Sequence, residues 1–294
     1  MRKRRKRMRK IKIAFQGEPG AYSEAAAFSY FGNSTETLPC KTFSEVFEAV
    51  EKKKADFGVI PIENSLEGTI GQNYDLLLKS KLKIFGEIIL RIHHCLIARE
   101  GTKLNSISKV YSHPQALGQC REFLEKHKLE AIATYDTAGS VKMLKEGKLE
   151  KNAAAIASER AAKVYGMKIL KKGIETNKKN FTRFFIISRG DAERKVEREA
   201  RKKEASIKTS IVFSTRHVPG ALFKALEPFA KRNINLTKIE SRPIIGKPWE
   251  YNFYLDFEGD INEKKTREAL NELKKVTTFL KILGSYPAAK LNEK

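Results

Sequence analysis

Residues 57–78 read FGVIPIENSLEGTIGQNYDLLL, and this stretch decides the class of fold. FGVIPIEN is a short apolar run suited to a strand, and TIGQNYDLLL has helical character. Working outward, the same alternation recurs: IKIAFQG (11–17) before SEAAAFSYF (23–31), KVYS (109–112) before a helix through REFLEKH (121–127), AIATYD (131–136) before GSVKMLKEG (139–147), and AAAIAS (153–158) before ERAAKVYG (159–166). Repeated strand–helix units favour a largely parallel α/β sheet. KIFGEIILRIHHCLIARE (83–100) is strand-rich without a helix. It marks where such a domain divides into two lobes, the second over about 90–172, with a ligand cleft between them.

Residues 189–208, RGDAERKVEREARKKEASIK, hold almost no large apolar side chain. They read as a charged linker over 189–205. From Ser206 the order changes to strand SIKTSIVFST, helix GALFKALEPFAKR, strands NLTKIESRPI and YNFYLDFEG, helix EKKTREALNELKKVTTF and a short strand KILGSY. That is βαββαβ, the ferredoxin-like pattern.

Composition bounds the function. The chain has 294 residues, 41% of them apolar, enough for two or three cored domains. Three cysteines without CxxC spacing suggest neither a disulfide framework nor a metal site, and a reducing cytoplasm is expected. No apolar run reaches the roughly 18 residues of a membrane helix, so no membrane partner is expected. The net charge is +23, and eight of the first ten residues, MRKRRKRMRK, are basic. The remaining excess lies in Lys/Glu-mixed segments such as EKHKLE, which read as solvated faces rather than a nucleic-acid surface. Residues 1–10 are expected to be a disordered basic tail.

Four strand ends carry polar residues, where open α/β sheets place ligands. The first, Gln16 to Ser23, has Gly20 and Ala21 at a helix start, with Ser23 as a candidate cap and backbone N–H groups suited to an anion. It lacks the GxGxxG and P-loop patterns of nucleotide sites. The second gathers Glu63, Asn64, Ser65 and Thr69, a concentration hard to explain as packing, although capping alone accounts for Ser65 or Thr69. In the third, Ser112 ends a strand, Pro114 opens a helix, and Gln115 and Gln119 share a helical face. His113 beside that proline is more often a structural hydrogen-bonder than an acid or base, and Cys120 reads as core. The fourth is Asp136-Thr137-Ala138. A fifth stretch, Asn180 to Ser188, sets Thr182 and Arg183 at the mouth of an apolar strand. Strand neighbours diverge, but at a bent strand start both can line one cleft. Arg offers a planar fork for a carboxylate and Thr can pass a proton. Without a metal cluster or a Ser-His-Asp triad, these residues imply proton movement and carboxylate recognition with no metal and no cofactor.

In this order, PIENS (61–65), SHPQAL (112–117) and TRF (182–184) resemble the active-site signatures of the prephenate dehydratase family, and Gly220-Ala221-Leu222 and Glu240-Ser241-Arg242-Pro243 resemble those of its ACT regulatory domain. The resemblance implies a bilobal catalytic domain over 11–188, similar to type II periplasmic binding proteins, followed by an ACT domain over 206–294. It implies the decarboxylating dehydration of prephenate to phenylpyruvate in phenylalanine biosynthesis. Thr182 would donate or relay the proton and Arg183 would anchor a carboxylate. Asn64, Ser112 and Gln119 would orient the substrate, with Glu63 in support. Ser65, Thr69, Gly20, Ala21, Thr137, Ala138 and Phe184 would complete the substrate site. Phenylalanine would bind between ACT domains of a homodimer or homotetramer, using Pro219, Gly220, Ala221 and Leu222 with Asn235, Leu236, Glu240, Ser241, Arg242 and Pro243. Arogenate dehydratase, which performs the same elimination on an amino analogue, is the nearest rival. A non-catalytic amino-acid sensor and a nucleic-acid binder acting through the basic arm are rivals of other classes.

Overall fold

The computed structural model describes residues 10–190 and 206–291. Most of the expected basic tail and of the charged linker therefore lie outside the described residues. Packing divides the chain into two units, one holding 10–69 and 89–184, the other 70–88 and 185–291. A cut at residue 189 does not follow this division, because segment 70–88 packs with the C-terminal strands.

In the first unit, β1 (Lys12–Gln16) lies parallel to β2 (Glu36–Cys40) on one side and to β3 (Phe57–Asn64) on the other. Helices α1 (Tyr22–Phe31) and α2 (Phe43–Glu51) link them. A two-residue strand, β4 (Gly68–Thr69), turns back antiparallel onto the end of β3. The sheet order is β2-β1-β3-β11-β5, where β5 (Lys83–Arg91) and β11 (Phe181–Ser188) each run across the unit boundary. The middle of β1, Ile13 to Phe15, and β3 from Phe57 to Ile62 are apolar and mostly buried, as central strands covered on both faces must be.

The chain leaves this sheet after β5 and builds a second one in the order β10-β6-β9-β7-β8, from β6 (Cys95–Ala98), β7 (Lys109–Ser112), β8 (Glu130–Ala133), β9 (Ala153–Ala157) and β10 (Lys168–Lys172). Helices α4 (Pro114–Gln119), α5 (Arg121–Lys126), α6 (Thr137–Lys145) and α7 (Glu159–Tyr165) belong to this lobe. β7 is parallel to β8 and β9, but β6 runs against β9 and β10 against β6. The expected largely parallel sheet thus carries antiparallel strands in each lobe, β4 in the first and β6 and β10 in the second. β6 and β10 are the strands that enter and leave the second lobe. β9, AAAIA, is fully buried, and its small side chains admit close packing of α6.

The second unit contains an antiparallel sheet, β13-β14-β12-β15, made of β12 (Ile207–Ser214), β13 (Leu236–Pro243), β14 (Tyr251–Glu258) and β15 (Phe279–Pro287). Helices α8 (Ala221–Ala230) and α9 (Lys264–Val276) pack on one face around Phe213, Phe229, Leu255 and Phe257. This is the expected βαββαβ order, with a last strand of nine residues rather than a short one.

Also in this unit is α3 (Gly71–Lys79). Arg242 grips Asp75 with two hydrogen bonds of 3.0 and 2.8 Å, and a Cβ on Gly71 would collide with the same guanidinium. Tyr254 donates to the Tyr74 carbonyl at 3.2 Å. At the C-terminus of α3, Lys281 Nζ donates to the carbonyls of Leu77, Leu78 and Ser80 at 2.9, 2.7 and 2.6 Å. These are groups a helix end leaves without intrahelical partners, and a cation also suits that end of the dipole. Lys281→Ala should therefore destabilise the protein by about 1–3 kcal/mol, read as a lower urea midpoint with an unchanged slope.

Candidate active site

Asn64 is the last residue of β3, and its side chain has only one possible orientation. Its Oδ1 accepts the backbone N–H groups of Leu66 and Glu67 at 3.0 and 3.1 Å, so the amide nitrogen must face the other way. There the two Nδ2 hydrogens face three acceptors, Asn180 Oδ1 at 2.8 Å, Thr182 Oγ1 at 3.0 Å and the Phe181 carbonyl at 3.1 Å. Asn180, accepting on its oxygen, turns its own Nδ2 to Gln119 Oε1 at 2.8 Å. The same Gln119 oxygen meets His94 Nε2 at 2.9 Å, and His94 Nδ1 lies 3.0 Å from the Tyr22 hydroxyl. Asn64 and Thr182 come from the first lobe and Gln119 from the second.

The chemical content of this row lies in its direction. Thr182 accepts from Asn64, so its own proton points elsewhere, and among the described residues no acceptor takes it. Thr182 is buried, with 8% of its surface exposed. Gln119, with its oxygen occupied twice, offers its NH2, which lies 3.5 Å from Glu67 Oε1. The cluster therefore presents two donors and suits a ligand that offers oxygen acceptors.

The sequence reading places other residues less well. Thr182 and Arg183 do not share a cleft: Thr182 meets Asn64, while Arg183 Nη1 lies 3.9 Å from Glu63 Oε2, as strict alternation on both strands requires. Ser112 is fully buried and donates to the Ile156 carbonyl at 2.6 Å, so it does not join the cluster. Phe184 and Ala138 are core residues at 1% and 0% exposure. Ser65 closes the loop onto β11, donating to the Lys179 carbonyl at 3.1 Å and accepting from Phe181 N–H at 2.9 Å. Thr69 sits in β4 opposite Glu63. Thr137 opens α6, capped by the Asp136 carboxylate, whose pKa burial raises. His113 caps α4 through its ring nitrogen.

Gly20 and Ala21 form no open anion loop. The Gly20 N–H is held by Glu24 Oε2 at 2.8 Å, Ser158 donates to the Gly20 carbonyl at 2.7 Å, and a Cβ on Gly20 would lie 2.6 Å from Ala161 Cα. Glu24 itself is buried and also receives Thr37 and Arg160, so this junction joins the lobes. Ala21, not Ser23, occupies the cap position of α1, and Ser23 is buried in the first turn.

Sequence reasoning missed Asn180, His94 and Tyr22. The signal for Asn180 was a lone amide heading an apolar strand; for His94 it was a histidine inside a strand-rich run. His94 is 2% exposed, and burial lowers its pKa against the opposing pull of Gln119 and Glu175. Glu175 is buried too; although burial pushes its pKa up, the His94 backbone N–H at 2.9 Å helps to hold it below the ordinary value.

In the second unit, Gly220 has φ of 76° before α8, and a Cβ there would touch nothing, so the backbone conformation alone calls for glycine. Ala221 and Leu222 line a cavity of about 140 Å³ with Arg216, His217, Trp249 and Tyr251. Pro219, Asn235, Leu236, Glu240, Ser241, Arg242 and Pro243 do not line it. On β13, Lys238, Glu240 and Arg242 alternate with the exposed Ile239, Ser241 and Pro243. Of the expected effector residues, Ala221 and Leu222 thus line this cavity and the others lie outside it.

The family model of prephenate dehydratase matches residues 13–192. The chain belongs to the prephenate dehydratase family. Its members are carbon–oxygen lyases, and the ACT domain model matches residues 209–275. An Arabidopsis thaliana protein named arogenate dehydratase/prephenate dehydratase 2, chloroplastic, is 45% identical over 287 residues, covering 95% of this chain and 73% of its own. The crystal structure of an Arthrobacter aurescens prephenate dehydratase in complex with L-Phe has a TM-score of 0.82 and 29% identity over 94% of this chain and 90% of its own. The structure of GqqA, described as a novel type of quorum-quenching acylase, has a TM-score of 0.83 and 34% identity over 94% of this chain and 98% of its own. Among the described residues no group of His, Cys, Asp or Glu is arranged to hold a metal, and no helix is long and apolar enough to cross a membrane.

The His94 environment sets a pH dependence. Folded His94 stays neutral where an unfolded histidine takes a proton, near pH 6.5. Its contribution to stability is therefore complete above about pH 6.5 and is lost as pH falls toward the depressed folded value. Thermal unfolding should show this loss, and His94→Gln should flatten it.

Proposed function

We propose that this protein converts prephenate to phenylpyruvate, carbon dioxide and water, with phenylalanine as its effector. The observation that carries the reading is the direction of the Thr182 hydroxyl, which accepts from Asn64 and so has a proton to give. As the bond from the ring to its carboxylate breaks, the electron pair enters the ring. The C–O bond to the ring hydroxyl then breaks, and the leaving oxygen takes the Thr182 proton to depart as water. Solvent restores that proton to Thr182. Aromatisation supplies much of the driving force, so the protein has chiefly to orient the substrate and protonate the leaving group. Gln119 NH2 supplies a second donor for a substrate oxygen.

Arogenate presents the same ring and leaving hydroxyl, and the Arabidopsis relative is named for both substrates. The free, buried thiols Cys40, Cys95 and Cys120 suit action in a reducing cytoplasm. Effector binding is supported by the family's phenylalanine-bound structure and by the cavity beside α8. Exposed Phe223, Ile239 and Trp249 on the same unit suit a second copy of the chain completing that site, in a homo-oligomer whose states bind phenylalanine unequally.

Purified protein given prephenate should release phenylpyruvate. Thr182→Val should lower kcat by about 10²–10⁴-fold, whereas Thr182→Ser should retain much of the rate; equal activity of the valine variant would sink the proton-donor role. A parallel assay with arogenate decides between the substrates. Trp249 is the single tryptophan of the chain and lines the cavity, so phenylalanine titration should change its fluorescence in a saturable manner and change the rate over the same concentrations.

A further inference from the structure

The geometry points to His94 as a positioning residue whose Nε2–H, together with Asn180, holds the carbonyl oxygen of Gln119 so that the Gln119 NH2 faces the substrate beside the Thr182 hydroxyl. This inference rests on the dehydratase reading and deepens it.

A glutamine side chain ends in a torsion with two nearly equivalent states, and exchanging them swaps an acceptor for a donor. At Gln119 the exchange is blocked from two sides. Asn180 Nδ2 reaches Oε1 at 2.8 Å and His94 Nε2 at 2.9 Å, and a flipped amide would set NH2 against both donors. The Asn180 donor is fixed through Asn64 by the Leu66 and Glu67 backbone. The His94 donor is set from the Gln119 side, because an oxygen already held by Asn180 can only accept from Nε2; the other ring nitrogen lies 3.0 Å from the Tyr22 hydroxyl, which also donates to the His93 carbonyl at 2.7 Å.

His94 is itself closely held. Its backbone N–H donates to Glu175 Oε2 at 2.9 Å, and its ring packs edge-on to Tyr22 with centroids 5.7 Å apart. The titratable groups around it are Tyr22 from α1, Glu175 from the segment before β11, and the adjacent exposed His93, which is 3.3 Å from Glu175. Burial favours the neutral imidazole, and with an acceptor at Nε2 the neutral ring carries its proton there. By contrast, the partner of the Gln119 NH2 is weak: Glu67 is exposed and 3.5 Å away, so a substrate oxygen can take its place. His94 thus acts through Gln119 and touches no substrate.

The full chain provides the test. Nitrogen-15 spectra of the imidazoles at neutral pH, assigned with His94→Gln, should show His94 as the Nε2–H tautomer. The Nδ1–H tautomer or an imidazolium would overturn the inference. In the prephenate assay, His94→Asn, too short to reach Gln119, should raise KM about tenfold with a smaller change in kcat, as loss of one oriented hydrogen bond predicts. Gln119→Ala should do the same, and the double variant should be no worse than Gln119→Ala alone. His94→Gln, whose amide can donate to the same oxygen, should recover most of the loss. Additive effects, or a glutamine variant as impaired as the asparagine one, would overturn the inference while leaving the dehydratase reading intact. If the unaltered protein consumes neither prephenate nor arogenate, that reading fails and the positioning role fails with it. Should His94→Asn not fold, the wild-type tautomer and the kinetics of His94→Gln against Gln119→Ala decide: a glutamine variant matching Gln119→Ala in KM overturns the role.

Discussion

Two backbone N–H groups, those of Leu66 and Glu67, set the chemistry of this protein by holding one oxygen of Asn64. A row of amides and imidazoles has two senses, and without an anchored end both are populated. Backbone donors have only one sense. Fixing Asn64 therefore fixes Asn180, Gln119, the His94 tautomer and the Thr182 hydroxyl in turn. Because Asn64, Asn180, Thr182 and His94 are buried, reversing any link would leave donors facing donors with little water to relieve them.

The lobes are also joined by a buried carboxylate. Glu24 accepts the Gly20 N–H, the Thr37 hydroxyl and the Arg160 guanidinium, which lies 4.0 Å above the Phe28 ring. Three donors compensate the desolvation of a charge that would otherwise be costly to bury. This joint explains why the glycine-bearing loop after β1 looks like an anion site in sequence: it does bind an anion, but the anion is a side chain of the next helix.

The alternation of strands and helices, the division near residue 90 and the βαββαβ order after 206 were legible because hydrophobic period and strand length are local properties. Asn64 and Thr182 were legible as polar residues at strand ends inside PIENS and TRF, and Gln119 as a polar residue on the helical face of Gln115. Less legible was which neighbour each polar group meets. Ser112 and Ser65 bear the hydroxyls expected of ligand contacts, yet the Ile156 and Lys179 carbonyls, distant in sequence, take their protons. Arg183 fell on the wrong face because a bend was assumed where β11 keeps its regular alternation. The antiparallel placement of β6 and β10 depends on how the chain enters and leaves the second lobe, which period alone does not record.

Helix α3 bears on how this protein can be taken apart. By sequence it belongs to the N-terminal segment, two residues beyond β4, yet Arg242, Tyr254 and Lys281 satisfy its Asp75 carboxylate and four of its backbone carbonyls or those just beyond its end. Removing everything after residue 189 would strip those partners and uncover the Tyr74 ring, which packs on Tyr254 with centroids 4.7 Å apart. The ACT domain is thus not a detachable cassette. A functional graft or truncation must carry a substitute surface for α3, or redesign that helix for water.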